Sequence, residues 1–523
     1  MKRFWFFLLL AAFLTRLAAA LYWDERVRNA AFVPGVAPSS LALTASANVP
    51  SAPPPAPSVP TDGPFFFGDS DSYWKLGRAL AFGRPYRFDE ERRWEIFRTP
   101  GYPALLAPLF WAFGETPPVF AARFLGVLFG TLNVGLVGFL AFAYFRRRSI
   151  AALSGLIVAF EPTLVLQSVL VLSEEPFLTF ALLQHCVALD VARRLGLLPQ
   201  PTVDLTTAAS ALNDPSDLTS HSPRFFAVDA PPSFRRLLVA ALALGAASAA
   251  TVYLRPSWLY FLPFATFFIF LRRFFILNGE KRACRTASSS VQLRPFPSTV
   301  KIASSFVVFL RFLFVATVAL AVFVVSLAPW TLRNYRLTGR PIATSLQMGA
   351  SLYDGWRPDA DGASDMRFVD EFRRLETESP SGPVVEHFEV RLDQRLKTAA
   401  LDWALAHPAA VARLAAVKLA RLWSPIPREP AFSTLALQTL LAATFAPLLI
   451  GGLCGFYRSF RLRGAAWTLL LPALYLSALH SIFVSSIRYR VPVLYGFALL
   501  TAFAVVALLD KRRRRQTDRR ERP

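Results

Sequence analysis

Asp69 and Asp71, one residue apart, open a stretch from Gly68 to Leu109 in which carboxylates, arginines and aromatic residues crowd between apolar segments. A carboxylate here can take a proton, or it can cap a helix by accepting from free backbone N–H groups. One helix start needs one such cap, and Asp69, Ser70, Asp71 and Ser72 offer four. Capping therefore goes to Asp71 or Ser72, and Asp69 is left as the carboxylate for chemistry. A second acidic pair, Glu174 and Glu175, interrupts apolar sequence at Val169–Ser173. Carboxylates at membrane depth are costly, so either a cavity receives them or a span simply begins there. The two glutamates are not separable by sequence.

Several arginines complete the set. Arg98 precedes the rigid Thr99-Pro100-Gly101-Tyr102-Pro103 turn, and Arg255 sits between two closely joined apolar runs. Arg333 lies in Pro329-Trp330-Thr331-Leu332-Arg333-Asn334, and Arg488-Tyr489-Arg490 lies before the last apolar run. Guanidinium groups hold phosphate through paired donors in a fixed plane, so arginines beside carboxylates at a membrane edge point to chemistry on a phosphate-bearing lipid. Any one of them alone would be an ordinary interfacial anchor.

The elements that must position these residues are membrane helices. The 523 residues are 54% hydrophobic with 48 phenylalanines and a mean hydropathy of +0.39, too apolar for a soluble globular protein. The net charge of +22 could suggest nucleic acid, but the Lys and Arg cluster at the ends of apolar runs, as the positive-inside rule expects. Cys186, Cys284 and Cys454 have no metal or disulfide spacing. The sequence has no Gly-rich nucleotide loop, no zinc-binding His pair and no Ser nucleophile elbow. No metal site and no certain cofactor are read, and a divalent cation is left open.

In chain order, the first apolar run is Phe4–Trp23. Ala18-Ala19-Ala20 resembles a cleavage site, but the run is long for a signal core and reads as a retained span. Arg16 within it either packs inward or reaches the headgroups. Residues 24–119 form an outer first loop with a Pro, Ser and Ala-rich insertion at Ala37–Pro64, and Gly101–Phe113 is too short to cross. Spans follow over Phe120–Phe145, two within Ile150–Leu189, Leu237–Leu254, Trp258–Leu271, Ser304–Ala328, Phe432–Phe456, Ala465–Ser485 and Val491–Leu509. That makes about ten spans with both termini cytoplasmic. Residues 1–328 form a transmembrane catalytic region with cytoplasmic insertions at 195–236 and 272–303. Residues 329–431 form an outer segment with two helices broken at His407-Pro408, 432–510 the last spans, and 511–523 a basic tail. By this parity every basic cluster falls inside, and Asp69, Arg98, Glu174, Arg255, Arg333 and Arg488 fall outside.

The motifs Asp69-Ser-Asp-Ser-Tyr73, Arg98-Thr-Pro-Gly-Tyr-Pro103, Ser173-Glu174, Leu254-Arg255-Pro256, Pro329-Trp-Thr-Leu-Arg-Asn334 and Arg488-Tyr-Arg-Val-Pro492 occur in that order. In this the chain resembles the GT-C membrane glycosyltransferases of the family 39 type, which include protein mannosyltransferases and lipid A aminoarabinose transferases. The resemblance covers roughly residues 5–510. It implies an all-α polytopic bundle and inverting transfer of a sugar from a polyprenyl-phosphate donor to an outer-face acceptor in the inner membrane. Asp69 matches the key first-loop aspartate, Arg98 the donor-phosphate contact, and Glu174 or Glu175 the acid opening the fourth span. Arg255, Arg333, Arg488, Tyr489 and Arg490 would join the phosphate site, with Asp71 near the catalytic group and Tyr73 and Tyr102 lining the cavity. Its long Pro-rich insertion and small outer segment depart from the family pattern. The rival expectation is a transporter or flippase for lipid-linked glycans, which would show internal repeats and charges within the spans.

Overall fold

A computed structural model describes residues 2–31, 65, 68–88, 94–198, 233–272, 298–383, 386–427, 434–461 and 465–520. The Pro-rich insertion at 37–64, most of the 195–236 and 272–303 insertions, the end of the basic tail, Cys284 and His221 lie outside the described residues. Among those described, all regular structure is helical. The chain forms α1 (Lys2–Ala31), α2 (Gly68–Ala81), α3 (Gly101–Phe113), α4 (Val119–Phe145), α5 (Arg148–Phe160), α6 (Pro162–Val169) and α7 (Glu174–Arg194). There follow α8 (Phe234–Leu254), α9 (261–272), α10 (Ser298–Thr338), α11 (Met348–Gly355) and α12 (Phe368–Glu378). The chain closes with α13 (Phe388–Ala406), α14 (Pro408–Trp423), α15 (Leu435–Arg461), α16 (Leu471–Ile482) and α17 (Val491–Arg520).

Seven helices among the described residues are long and apolar enough to cross a membrane, or eight if α5 and α6 count as one bent span. About ten spans were expected. The difference lies in α7, which carries Glu174, Glu175, Asp190, Arg193 and Arg194, and in α9, which is short within the described residues. α4 packs on α1, α5 and α7, α17 packs on α15 and α5, and α8 lies between α7 and α10. Apolar side chains from most of these helices form one core, in which Phe145 of α4 stacks on Phe503 of α17 at 4.8 Å.

Local chemistry sets the ends of these helices. α7 begins with two carboxylates and ends with two arginines, an order that matches the helix dipole at both ends. α10 runs on past the expected boundary at Ala328, through Pro329 to Thr338. Pro329 has no amide to donate, and in that turn the Tyr253 hydroxyl bonds Ser326 O (2.8 Å) and the Thr331 hydroxyl bonds Leu327 O (2.9 Å).

The bend between α5 and α6 is 55°. Glu161 adopts an extended backbone before Pro162, and its carboxylate caps α6 by accepting from Leu164 N (2.8 Å) and Thr163 Oγ1 (2.9 Å). The break orphans carbonyls at the end of α5. Arg16, 1% exposed, fills that need by donating to Ala159 O (2.9 Å) and Val158 O (3.0 Å). Of the two expectations for Arg16, inward packing is the one found. Gly130 makes room for it, since a Cβ there would lie 2.7 Å from Arg16 Nε.

Replacing Arg16 with Met should strand those carbonyls at a cost on the order of 1–3 kcal/mol each. Thermal unfolding of the detergent-purified variant should show a clear fall in melting temperature. Gly130→Val should move it the same way by expelling the guanidinium. An unchanged melting temperature in both variants would refute this role.

Candidate active site

α2 and α3 pack against one another through Tyr73 on Tyr102 (ring centroids 5.1 Å apart, edge-on) and Trp74 on Phe110 (4.9 Å). α3 starts at Gly101 because nothing larger fits: a Cβ there would lie 2.5 Å from Tyr253 O at the end of α8. This seat fixes the turn that precedes α3 and carries Arg98 back over the start of α2. The irregular run before it is held from the 329–431 region, where the Glu389 carboxylate accepts from Glu95 N (2.7 Å) and Ile96 N (3.1 Å).

Charges from five separate parts of the sequence then meet in alternation. Arg98 contacts Asp69 (2.5 Å), Asp69 contacts Arg488 (3.4 Å), Arg488 contacts Glu174 (3.0 Å), and Glu174 contacts Arg255 (3.2 Å). The Arg98 guanidinium lies 5.2 Å from the Tyr73 ring centroid, and that of Arg255 lies 5.6 Å from Tyr489, which stacks on His480 at 4.5 Å. Asp69, Arg98, Glu174, Arg255, Arg488, Tyr73, Tyr102 and Tyr489 thus form one continuous polar wall. Glu174 is almost fully buried, with a side chain 3% exposed, whereas that of Asp69 is 38% exposed. Of the two carboxylates, Asp69 is the one a molecule arriving from water can reach.

The other candidate residues lie elsewhere. Glu175 turns into the bundle and accepts from Asn133 Nδ2 on α4 (2.8 Å), which separates it from Glu174. Asp71 pairs with Lys75 one turn along α2 (2.8 Å), and the Ser72 hydroxyl donates to Asp69 O (2.7 Å), both inside a helix that has already begun at Gly68. Arg333 donates to Glu95 O (2.7 Å) and lies over Trp330, so it braces the run leading to Arg98. Arg490 donates to Ser424 O (2.5 Å) and Leu422 O (3.3 Å) at the end of α14. Asn133, Glu389, His480 and Lys418, whose ammonium donates to Ile482 O (2.5 Å), support the wall and were not singled out by sequence. Asn133 inside an apolar run was the clearest available signal. Among the described residues no group of three or more His, Cys, Asp or Glu side chains is placed to hold a metal ion.

Electrostatics follows from this arrangement. Burial alone would push the Asp69 carboxyl up, but Arg98 and Arg488 outweigh it and hold the group at about 2. A depressed carboxyl pKa contributes stability that is present above the unfolded value of about 3.9 and lost as pH falls through the folded one. The gap in melting temperature between the wild type and Asp69→Asn should therefore hold steady above about pH 4 and shrink toward about pH 2. A gap independent of pH would mean that Asp69 gains nothing from its arginines.

Residues 108–196 match the model of a family described as dolichyl-phosphate-mannose-protein mannosyltransferase. That segment runs from the end of α3 through α7 and contains Glu174 and Glu175, whereas Asp69, Arg98, Arg255 and Arg488 lie outside it. Among solved structures, the chain matches the apo crystal structure of the oligosaccharyltransferase of Archaeoglobus fulgidus at 13% identity and a TM-score of 0.42. The match covers 95% of this chain and 51% of that one, so the chain spans about half the length of that protein. No curated protein sequence matches it. Through the family match and the ordered motifs, the chain is similar to the GT-C membrane glycosyltransferases.

Proposed function

We propose that the protein is an inverting glycosyltransferase that moves a sugar from a polyprenyl-phosphate carrier to an acceptor hydroxyl or amine on the outer face of the membrane. The observation behind this is the unbroken alternation Arg98–Asp69–Arg488–Glu174–Arg255 at one end of the bundle. Three guanidiniums face two carboxylates there, so the cluster has one positive charge in excess. That excess suits a phosphate.

The donor phosphate draws Arg98 and Arg488 away from Asp69 and so restores its basicity, and Asp69, the more exposed carboxylate, takes the acceptor proton as the acceptor oxygen or nitrogen bonds to the anomeric carbon. The bond from that carbon to the phosphate oxygen breaks on the opposite face, and its electron pair leaves with the carrier phosphate. Arg98, Arg255 and Arg488 stabilise the charge that grows there, with donors already in place before the reaction. Glu174 keeps Arg255 and Arg488 apart and correctly aimed, and Tyr73, Tyr102 and Tyr489 wall the sugar. Arg333, Arg490, Asp71 and Glu175 act as scaffold. A phosphate-linked lipid donor needs no nucleotide site, and the sequence has none of the glycine-rich loops that would build one.

The test is transfer by the purified protein from a polyprenyl-phosphate sugar to candidate acceptors. Asp69→Asn should lose about 10² to 10⁴-fold in turnover, the span typical of a positioned general base. Arg488→Ala should lose activity on every donor, while Arg333→Ala should act mainly on thermal stability. Near-normal turnover by Asp69→Asn would remove that residue from the chemistry, and transport of the lipid without transfer would sink the enzyme assignment.

A further inference from the structure

At the end of the bundle away from the Asp69–Glu174 wall, a cavity of about 320 Å³ opens between α1, α4 and α5. Its walls are Trp5, Gly135, Gly138, Phe139 and Phe142, with Arg148 where α5 starts. The floor is built by glycine. A Cβ on Gly138 would lie 2.0 Å from the Trp5 ring and one on Gly155 2.9 Å, so the indole lies flush against two helices and leaves the space beside it open. Gly135 borders that space with only Leu9 nearby, at 3.8 Å.

The rim is cationic. Lys2 and Arg3 precede Trp5 by less than one turn of α1, and both are exposed, as is Arg148. Among the described residues none of the three has a carboxylate partner. Their neighbours differ: Arg147 pairs with Asp510, and the Arg146 guanidinium lies 5.7 Å from the Phe142 ring centroid. An apolar slot with Arg148 at its rim, two further cations at the start of the adjoining helix and the exposed rings of Phe139 and Phe142 along its side fits an amphiphile with one hydrocarbon chain in the slot and an anion at the rim. Each basic residue near an anionic leaflet gains attraction to it, and a zwitterionic headgroup supplies no net charge for that gain.

We propose that the groove between α1, α4 and α5 is a binding site for one anionic phospholipid, its acyl chain along Gly135 and Gly138 and its phosphate between Arg148 and Lys2–Arg3. The site is separate from the wall that would handle the donor, and its lipid comes from the bilayer.

Native mass spectrometry of the full-length protein in detergent, titrated with phosphatidylglycerol and with phosphatidylcholine of the same chains, reads this directly. The expected result is a single tight adduct with phosphatidylglycerol, at least about tenfold preferred, in line with the gain per cation. Gly135→Leu should fill the slot without a clash and abolish that adduct with the melting temperature unchanged. Arg148→Gln, at an exposed position, should keep lipid binding but lose most of the preference for the anionic headgroup. Equal adducts with both lipids, or an undiminished phosphatidylglycerol adduct in Gly135→Leu, would overturn the proposal. So would preferential capture of added polyprenyl phosphate that Gly135→Leu removes, which would assign the groove to the carrier.

Discussion

Ionised groups taken out of water must be neutralised by one another or by a ligand, and the Asp69–Glu174 wall is built around that constraint. Glu174 is almost fully buried between Arg488 and Arg255, and Asp69 is shared by Arg98 and Arg488. No member can leave without stranding its neighbour. The five side chains come from α2, the turn before α3, the start of α7, the end of α8 and the turn before α17, so the pairing also ties together helices distant in sequence. The same charges that would handle a phosphate therefore hold the upper end of the bundle in register.

The scaffold beneath repeats this logic with carbonyls instead of carboxylates. A span broken at Glu161-Pro162 exposes backbone acceptors where lipid can supply no partner. Arg16 from α1 supplies the donors, Glu161 caps the next helix, and the chain rises through α6 to present Glu174 at the wall. From the other side, Glu389, Arg333 and Lys418 each bond a backbone group in the segments that carry Arg98 or lead to Arg488. Two kinds of charged side chain thus recur around the site: those that face one another across the wall, and those spent on backbone groups behind it.

That division explains what could be read in advance. Asp69 and Arg98 stood out because a helix start with four potential caps has spare groups, and because Pro100 and Pro103 make the turn rigid. The all-helical membrane architecture followed from apolar runs bounded by basic clusters. Arg333 and Arg490 looked like Arg98 and Arg255 in sequence, since an arginine beside a proline or aromatic at a span end has the same local signature whether it faces a cavity or a carbonyl. Glu174 and Glu175 are adjacent, and about 100° of helical rotation separates a residue aimed at Arg488 from one aimed at Asn133.

The sequence by itself determined the membrane class, the alternation of basic clusters with the functional-looking residues, and the short list of carboxylates and arginines. Hydropathy and charge are properties of single residues and their near neighbours, so they survive without coordinates. Only the tertiary structure decided which arginines meet which carboxylates, that Glu174 and not Glu175 joins the wall, and that Arg16 serves a helix break. Those outcomes depend on how α1, α4, α7 and α17 rotate and slide against one another, and side-chain direction is set by that packing rather than by any spacing along the chain.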